Sequence, residues 1–150
     1  MGLPIDFDFD VTNLDVDVQV DEITLLDPDN TPNRVLPDNQ AFRIRIRWTE
    51  GGDQVLFFTG SWDVTASVES IGTGFEGLLT TTPASIVAPA PPHARTDTLT
   101  VDPATAGAGA ALVPGVYRLI LRFAFTPTDP TAPRIGGFAE GPLFELETGP

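Results

Sequence analysis

Hydrophobic and polar residues alternate along most of this chain with a period of two, the spacing of a strand with one buried face. The stretch "FRIRIRW" is the cleanest case. Phe42, Ile44, Ile46 and Trp48 fall on one side, and Arg43, Arg45 and Arg47 on the other. Ile5, Phe7, Phe9 and Val11 alternate with Asp6, Asp8, Asp10 and Thr12. Leu14, Val16, Val18 and Val20 then hold even positions, and Ile23 and Leu25 return to odd ones. A one-residue slip turns every side chain over, so each phase change predicts a bulge, a bend or a strand break.

Further strands are predicted at 55–58, 62–69, 96–101, 116–125 and 142–147. Trp62, Val64, Ala66 and Val68 share one face of their strand. Tyr117, Leu119, Leu121, Phe123 and Phe125 do the same, with Arg118 and Arg122 opposite. Turn residues punctuate the pattern: the loop "LDPDNTPNRVLPDNQ" (26–40), a Gly-Gly hairpin turn at 49–54, and a Pro-rich stretch at 80–94. That stretch has room for a short strand around Ile86 and Val87. Asp102 followed by Pro103 can start a single helical turn, and nothing else reads as helix. The expectation is an all-β antiparallel sandwich of about eight or nine strands with an extra strand at its N-terminus. Residues 1–12 form that extension, and 13–150 the sandwich.

Length agrees with a single domain of 150 residues, large enough for its own core. With no cysteine, a disulfide framework, a thiolate nucleophile and a cysteine zinc site are all excluded.

Three pieces in order resemble immunoglobulin-like or fibronectin-type modules of the bacterial kind. "LLDPDN" followed by "VLPDNQAFRIRIRWTEGG" looks like strand A, a Pro-containing loop, and strand B running into a Gly turn. "TDTLTV" takes the place of strand E, and "PGVYRLILRF" that of strand F. The resemblance implies that Tyr117 forms a tyrosine corner and that Trp62 is the buried tryptophan of strand C, with Trp48 the alternative. The chain departs from the pattern in lacking the disulfide cysteines and in carrying one strand too many. A match at this level brings no function with it.

Charge narrows the partners. The chain carries −13 with a pI near 4.1; its eight basic residues are all arginine. Such a surface repels nucleic acid phosphates and anionic lipid headgroups. No apolar run approaches the roughly 18 residues of a membrane span. "MGLPIDFDFD" lacks the basic and apolar regions of a signal peptide, so cytoplasmic localisation is the default expectation.

Chemistry-bearing residues are few. His93 is the sole histidine, in a Pro-rich loop, and a transition-metal site lacks a second ligand. Ser61, Ser67, Ser70 and Ser85 stand in no nucleophile elbow, and Glu50, Glu69 and Glu76 have no context that marks a glycosidase dyad. Calcium suits an oxygen-rich chain better. Asp27, Asp29 and Asn30 can curl round an ion with Asp38, against the alternative that these residues hold Asx-type turns. Trp48, Trp62 and the phenylalanines can make a sugar platform, but their alternate spacing reads as core. The arginine row pairs across the sheet with Asp15, Asp17, Asp21 and Glu22, or else docks an acidic partner.

No enzyme and no required cofactor are therefore expected. The expected role is a structural or adaptor module of a larger assembly, contacting protein partners, other copies of itself included. Its contact residues are Ile5, Phe7, Phe9 and Val11 on a sheet edge and Arg43, Arg45 and Arg47 on a strand face. The alternative is a carbohydrate- or calcium-binding module.

Overall fold

The computed structural model describes residues 3–4, 6–7, 17–51, 60–89, 94–129, 131 and 135–149. The strand expected at 55–58, the turn beyond Gly51, and Ile5, Phe9, Val11, Asp15 and His93 lie outside them.

Among the described residues there is no helix, and twelve strands form two packed sheets. In chain order they are β1 (Leu3–Pro4), β2 (Asp6–Phe7), β3 (Asp17–Leu26), β4 (Val35–Pro37), β5 (Phe42–Gly51) and β6 (Gly60–Ser70). Then come β7 (Gly77–Leu78), β8 (Thr81–Thr82), β9 (Ile86–Pro89), β10 (Ala94–Val101), β11 (Gly115–Pro127) and β12 (Ile135–Glu147). Four of the twelve, β1, β2, β7 and β8, are two-residue segments. Of the remaining eight, β4 lies within the stretch 26–40 that was expected to be loop.

Sheet A runs β1-β3-β5-β10-β8 and sheet B runs β2-β12-β11-β6-β7, with β4 beside β12 and β9 beside β6. Pairings are antiparallel among the described strands except β4 with β12.

Each sheet has a long central strand with neighbours on both sides, and the alternation turns its apolar face inward. On β5, Phe42, Ile44, Ile46 and Trp48 are all 0% exposed. On β11, Tyr117, Leu119, Leu121 and Phe123 match them. Aromatic rings carry the contact between sheets. Trp48 of sheet A meets Phe123 edge-on at 5.3 Å and Trp62 at 6.3 Å, both on sheet B. Phe42 meets Phe144 at 5.7 Å. Tilted and edge-to-face rings at such distances contribute about 0.5–1.5 kcal/mol per pair beyond area burial. Trp62 and Trp48 are therefore both core residues, not alternatives.

Two bulges interrupt the ladders; the first is a predicted phase change, and the other predicted one, at Asn13, lies outside the described residues. The register of β3 on β5 slips between Val20 and Glu22, where the alternation changes from even to odd. A second slip lies on β12, where Arg118 and Ile120 of β11 face Leu143 and Glu140. Gly141 sits in that bulge, and a Cβ there would stand 3.1 Å from Leu119 Cβ, a tight approach that glycine relieves.

Three sequence expectations need correction. The last strand begins at Ile135, not at Pro142, because Gly136, Gly137 and Pro142 hide the pairing that the ladder makes. The Pro-rich stretch holds two short strands, β8 and β9, one in each sheet. Residues from Asp102 form turns rather than a helical turn: Asp102 Oδ1 accepts from the Ala104 amide at 3.1 Å, and the chain reverses at Gly107–Ala110.

The N-terminal stretch divides between the sheets. Leu3 and Pro4 pair with Val20 and Gln19 of β3, and Asp6 and Phe7 with Phe138 and Gly137 of β12. One short segment thus joins the edge of sheet A to the edge of sheet B.

Candidate functional site

Strand alternation places Arg43, Arg45 and Arg47 on the outer face of sheet A, between the outward residues of β3 and β10. Arg47 stands opposite Glu22 on one side and Thr96 on the other. Arg45 faces Thr24 and Thr98, and Arg43 faces Leu26 and Thr100. The row is therefore bordered by threonines along its whole β10 side.

Glu22 is the main counter-charge. One carboxylate oxygen accepts from Arg45 at 2.9 Å, and the other from Arg47 at 3.2 Å. The Thr24 hydroxyl donates to it as well. That hydroxyl and the two guanidiniums hold its carboxyl well below the ordinary value of 4.5, at about 2. Asp21, displaced by the bulge, accepts instead from Thr49 Oγ1 at 3.0 Å. Arg43 makes only a long contact, 3.4 Å, to Asn30 Oδ1. Arg45 Nε is buried without a hydrogen-bond partner among the described residues. Among the described residues Glu22 alone forms ion pairs with the row, to Arg45 and Arg47, and Arg43 forms none. An open depression of about 430 Å³ adjoins the row, lined by Thr24, Leu25, Pro32, Asn33 and Arg34.

Of the four residues considered for calcium, the side chains of Asp27, Asn30 and Asp38 have other partners. Asp27 Oδ1 accepts the backbone amides of Asp29 and Thr31, at 3.0 and 2.9 Å, an Asx-type turn. Asn30 takes a left-handed φ of 65° at the end of that turn and meets Arg43. Asp38 Oδ1 accepts the Gly149 amide at 2.9 Å. Among the described residues, no group of three or more His, Cys, Asp or Glu side chains is placed to hold one ion. No helix among them is long and apolar enough to cross a membrane.

One polar cluster is absent from the sequence reading. Asp97 lies on the inward phase of β10, level with Leu99 and Val101. It accepts from Trp48 Nε1 at 3.0 Å and from Arg95 Nε at 3.2 Å. The signal was available, since Thr96, Thr98 and Thr100 point outward and so send Asp97 in. An inward carboxylate needs donors, and the core tryptophan and Arg95 supply them.

At the Tyr117 end, the phenol donates to the Val113 carbonyl at 2.6 Å, four residues upstream. Burial pushes its pKa up. Gly74 closes over the ring: a Cβ there would come within 2.6 Å of the Tyr117 hydroxyl.

The outer face of sheet B contrasts with that of sheet A. Phe138 is 51% exposed, Leu143 43% and Val116 38%. On the same face Arg118 stands opposite Leu143 and Arg122 opposite Phe138; Asp63, Glu69 and Glu145 form no ion pair among the described residues, while Glu140 lies 4.0 Å from Arg118. No protein-family model matches this chain, and neither the curated proteins nor the solved structures provide a match.

Proposed function

We propose that this protein is a non-catalytic structural or adaptor module that docks an acidic protein surface through the outer face of sheet A. The carrying observation is the arginine row, three guanidiniums in succession on one strand, of which Arg43 forms no ion pair among the described residues. An opposite-charge neighbour adds only about 0.2–1 kcal/mol across a sheet, so gathering scarce positive charge here exceeds what internal pairing asks for. A face of this sign, on a chain otherwise strongly negative, steers acidic partners to one place and repels them elsewhere.

The strand order supports the finer reading of the fold as immunoglobulin-like. Sheet A has the A-B-E-D succession in β3, β5, β10 and β8, and sheet B the G-F-C succession in β12, β11 and β6. The Tyr117 bond to Val113 has the form of a tyrosine corner. Modules of this architecture serve as spacers and connectors, though the architecture alone assigns no role. The rival carbohydrate reading gains no such support, because Trp48 and Trp62 are both buried in the core.

The test is binding of a poly-glutamate peptide at low salt, read by fluorescence anisotropy. Wild type is expected to bind, and a variant with Arg43→Ser, Arg45→Ser and Arg47→Ser to lose binding. An unchanged variant, or no binding by wild type, would overturn the proposal.

A further inference from the structure

The depression beside the arginine row is lined by Thr24, Leu25, Pro32, Asn33 and Arg34. On a chain with 21 acidic residues, this lining holds one guanidinium and no carboxylate. Backbone pairing puts Arg34 there. Leu26 bridges Pro32 in the antiparallel sense, and the Asn33 amide donates to the Leu25 carbonyl at 3.0 Å. One step further in that register sets Arg34 beside Thr24, whose neighbour on the other side is Arg45. Asn33 Oδ1 then accepts the Val35 amide at 3.0 Å, an Asx-type bend that fixes the backbone at Arg34.

Donors without acceptors gather around this point. Among the described residues the Arg34 guanidinium forms no ion pair and no hydrogen bond; only its backbone carbonyl is used, by the Glu145 amide. Asn33 uses its side-chain oxygen and leaves its NH2 group over. Arg43, one row along, has only the long contact to Asn30. The acids close by in sequence are engaged. Glu22 is occupied by Thr24, Arg45 and Arg47, and Asp27 Oδ1 by the amides of its own turn.

We infer that this depression seats a carboxylate of the docked acidic partner, gripped by Arg34, with Asn33 and Arg43 at its rim. This rests on the docking role proposed above and names a contact outside the arginine row. A guanidinium presents paired N–H groups that match the two oxygens of one carboxylate. Pro32 adds an apolar wall for the stem of a glutamate or aspartate. At about 430 Å³ the depression has the size of a ligand site, but it is open and covers one side of its occupant only. A free carboxylate would be held weakly there. One carried by a protein that is already docked loses little further freedom on entering, which makes a protein side chain the occupant.

Fluorescence anisotropy with poly-glutamate at low salt tests this on the full chain. Arg34→Ser is compared with Arg122→Ser, which removes the same charge from an exposed position on the outer face of sheet B. Arg34 has no side-chain partner to lose, so its variant is expected to fold as wild type does. Wild type is expected to bind, Arg34→Ser to bind about tenfold more weakly, and Arg122→Ser to match wild type. The Arg34 Nε–H and Asn33 side-chain NH2 resonances are expected to shift in NMR spectra as the peptide is added. Equal weakening by both variants, or resonances that stay in place while the peptide binds, would overturn the seat. Wild-type binding by Arg34→Ser, with binding lost in the Arg43, Arg45 and Arg47 variant, would overturn it too and leave the docking role standing. No binding by wild type would overturn the docking role and the seat with it.

Discussion

Strands β5 and β11 occupy equivalent places, each at the centre of its sheet with partners on both sides. Their inward residues are interchangeable in kind, large apolar side chains excluded from water. Their outward residues differ. β5 shows three arginines in succession, whereas β11 shows Val116, Arg118, Ile120, Arg122 and Ala124. The lesson is that packing dictates one half of each strand and leaves the other half free. Whatever distinguishes the two sides of this molecule resides in that free half.

The strongest test of this division is on the inside. Ile46→Ala and Leu121→Ala should each cost about 2–5 kcal/mol by lost burial and cavity formation, measured by urea unfolding. A cost below about 1 kcal/mol at either site would break the equivalence of the two cores.

A smaller effect is expected where polarity enters the core of sheet A alone. Asp97→Ala leaves the Trp48 indole N–H buried without its acceptor and Arg95 without its counter-charge, a loss of about 1–3 kcal/mol. Thr98→Ala, next along the strand but facing out, should stay within about 0.5 kcal/mol. Equal costs for the two would show that β10 does not alternate as described. Sheet B has its own polar anchor, and Tyr117→Phe should cost on the order of 1 kcal/mol through the hydrogen bond to Val113. Wild-type stability in that variant would mean the hydroxyl is satisfied by solvent instead.

The smallest effect belongs to the outer face. Glu22→Gln should change stability at neutral pH by less than about 1 kcal/mol, as for partly exposed ion pairs. Its signature is pH dependence. The carboxyl titrates at about 2 in the fold against an ordinary 4.5, so between those values the unfolded chain binds more protons. The Glu22 contribution is complete above pH 4.5 and declines as pH falls toward 2. Urea midpoints for wild type and Glu22→Gln should converge over that window, and parallel curves would show that the arginines do not hold this carboxylate.

Much of this contrast was legible in the sequence. Arginine at every second position of 43–47 names the outer face of sheet A without any structure, and the phase change after Val20 locates its bulge. The alternation over 116–125 put the Tyr117 ring on the inward phase, where it is buried; a corner role was implied only by the resemblance. The identity of the counter-ion was harder. Of the four acids eligible, Asp15 and the side chain of Asp17 lie outside the description, and the bulge turns Asp21 to Thr49 and sets Glu22 between Arg45 and Arg47. The length of β12 escaped because Gly136, Gly137 and Pro142 have poor strand propensity, while the ladder to β11 overrides it. The apolar strip on sheet B escaped for a related reason. Phe138 lies in that hidden portion, and the bulge at Gly141 is what brings Leu143 to the same face.

Strand β12 also bears on the order in which the molecule is made. It pairs with β11 on one flank and with both β2 and β4 on the other. Residues Val35–Pro37 find their partners only at Glu145–Glu147, and Asp38 reaches Gly149. At about 5–20 residues per second, a nascent chain carries these early strands for roughly 5–20 s before their mates leave the ribosome. Sheet A, by contrast, has its β3–β5 ladder within the first third of the chain. The arginine-bearing sheet can therefore be assembled on the ribosome while the acidic, apolar face of its neighbour is still being translated.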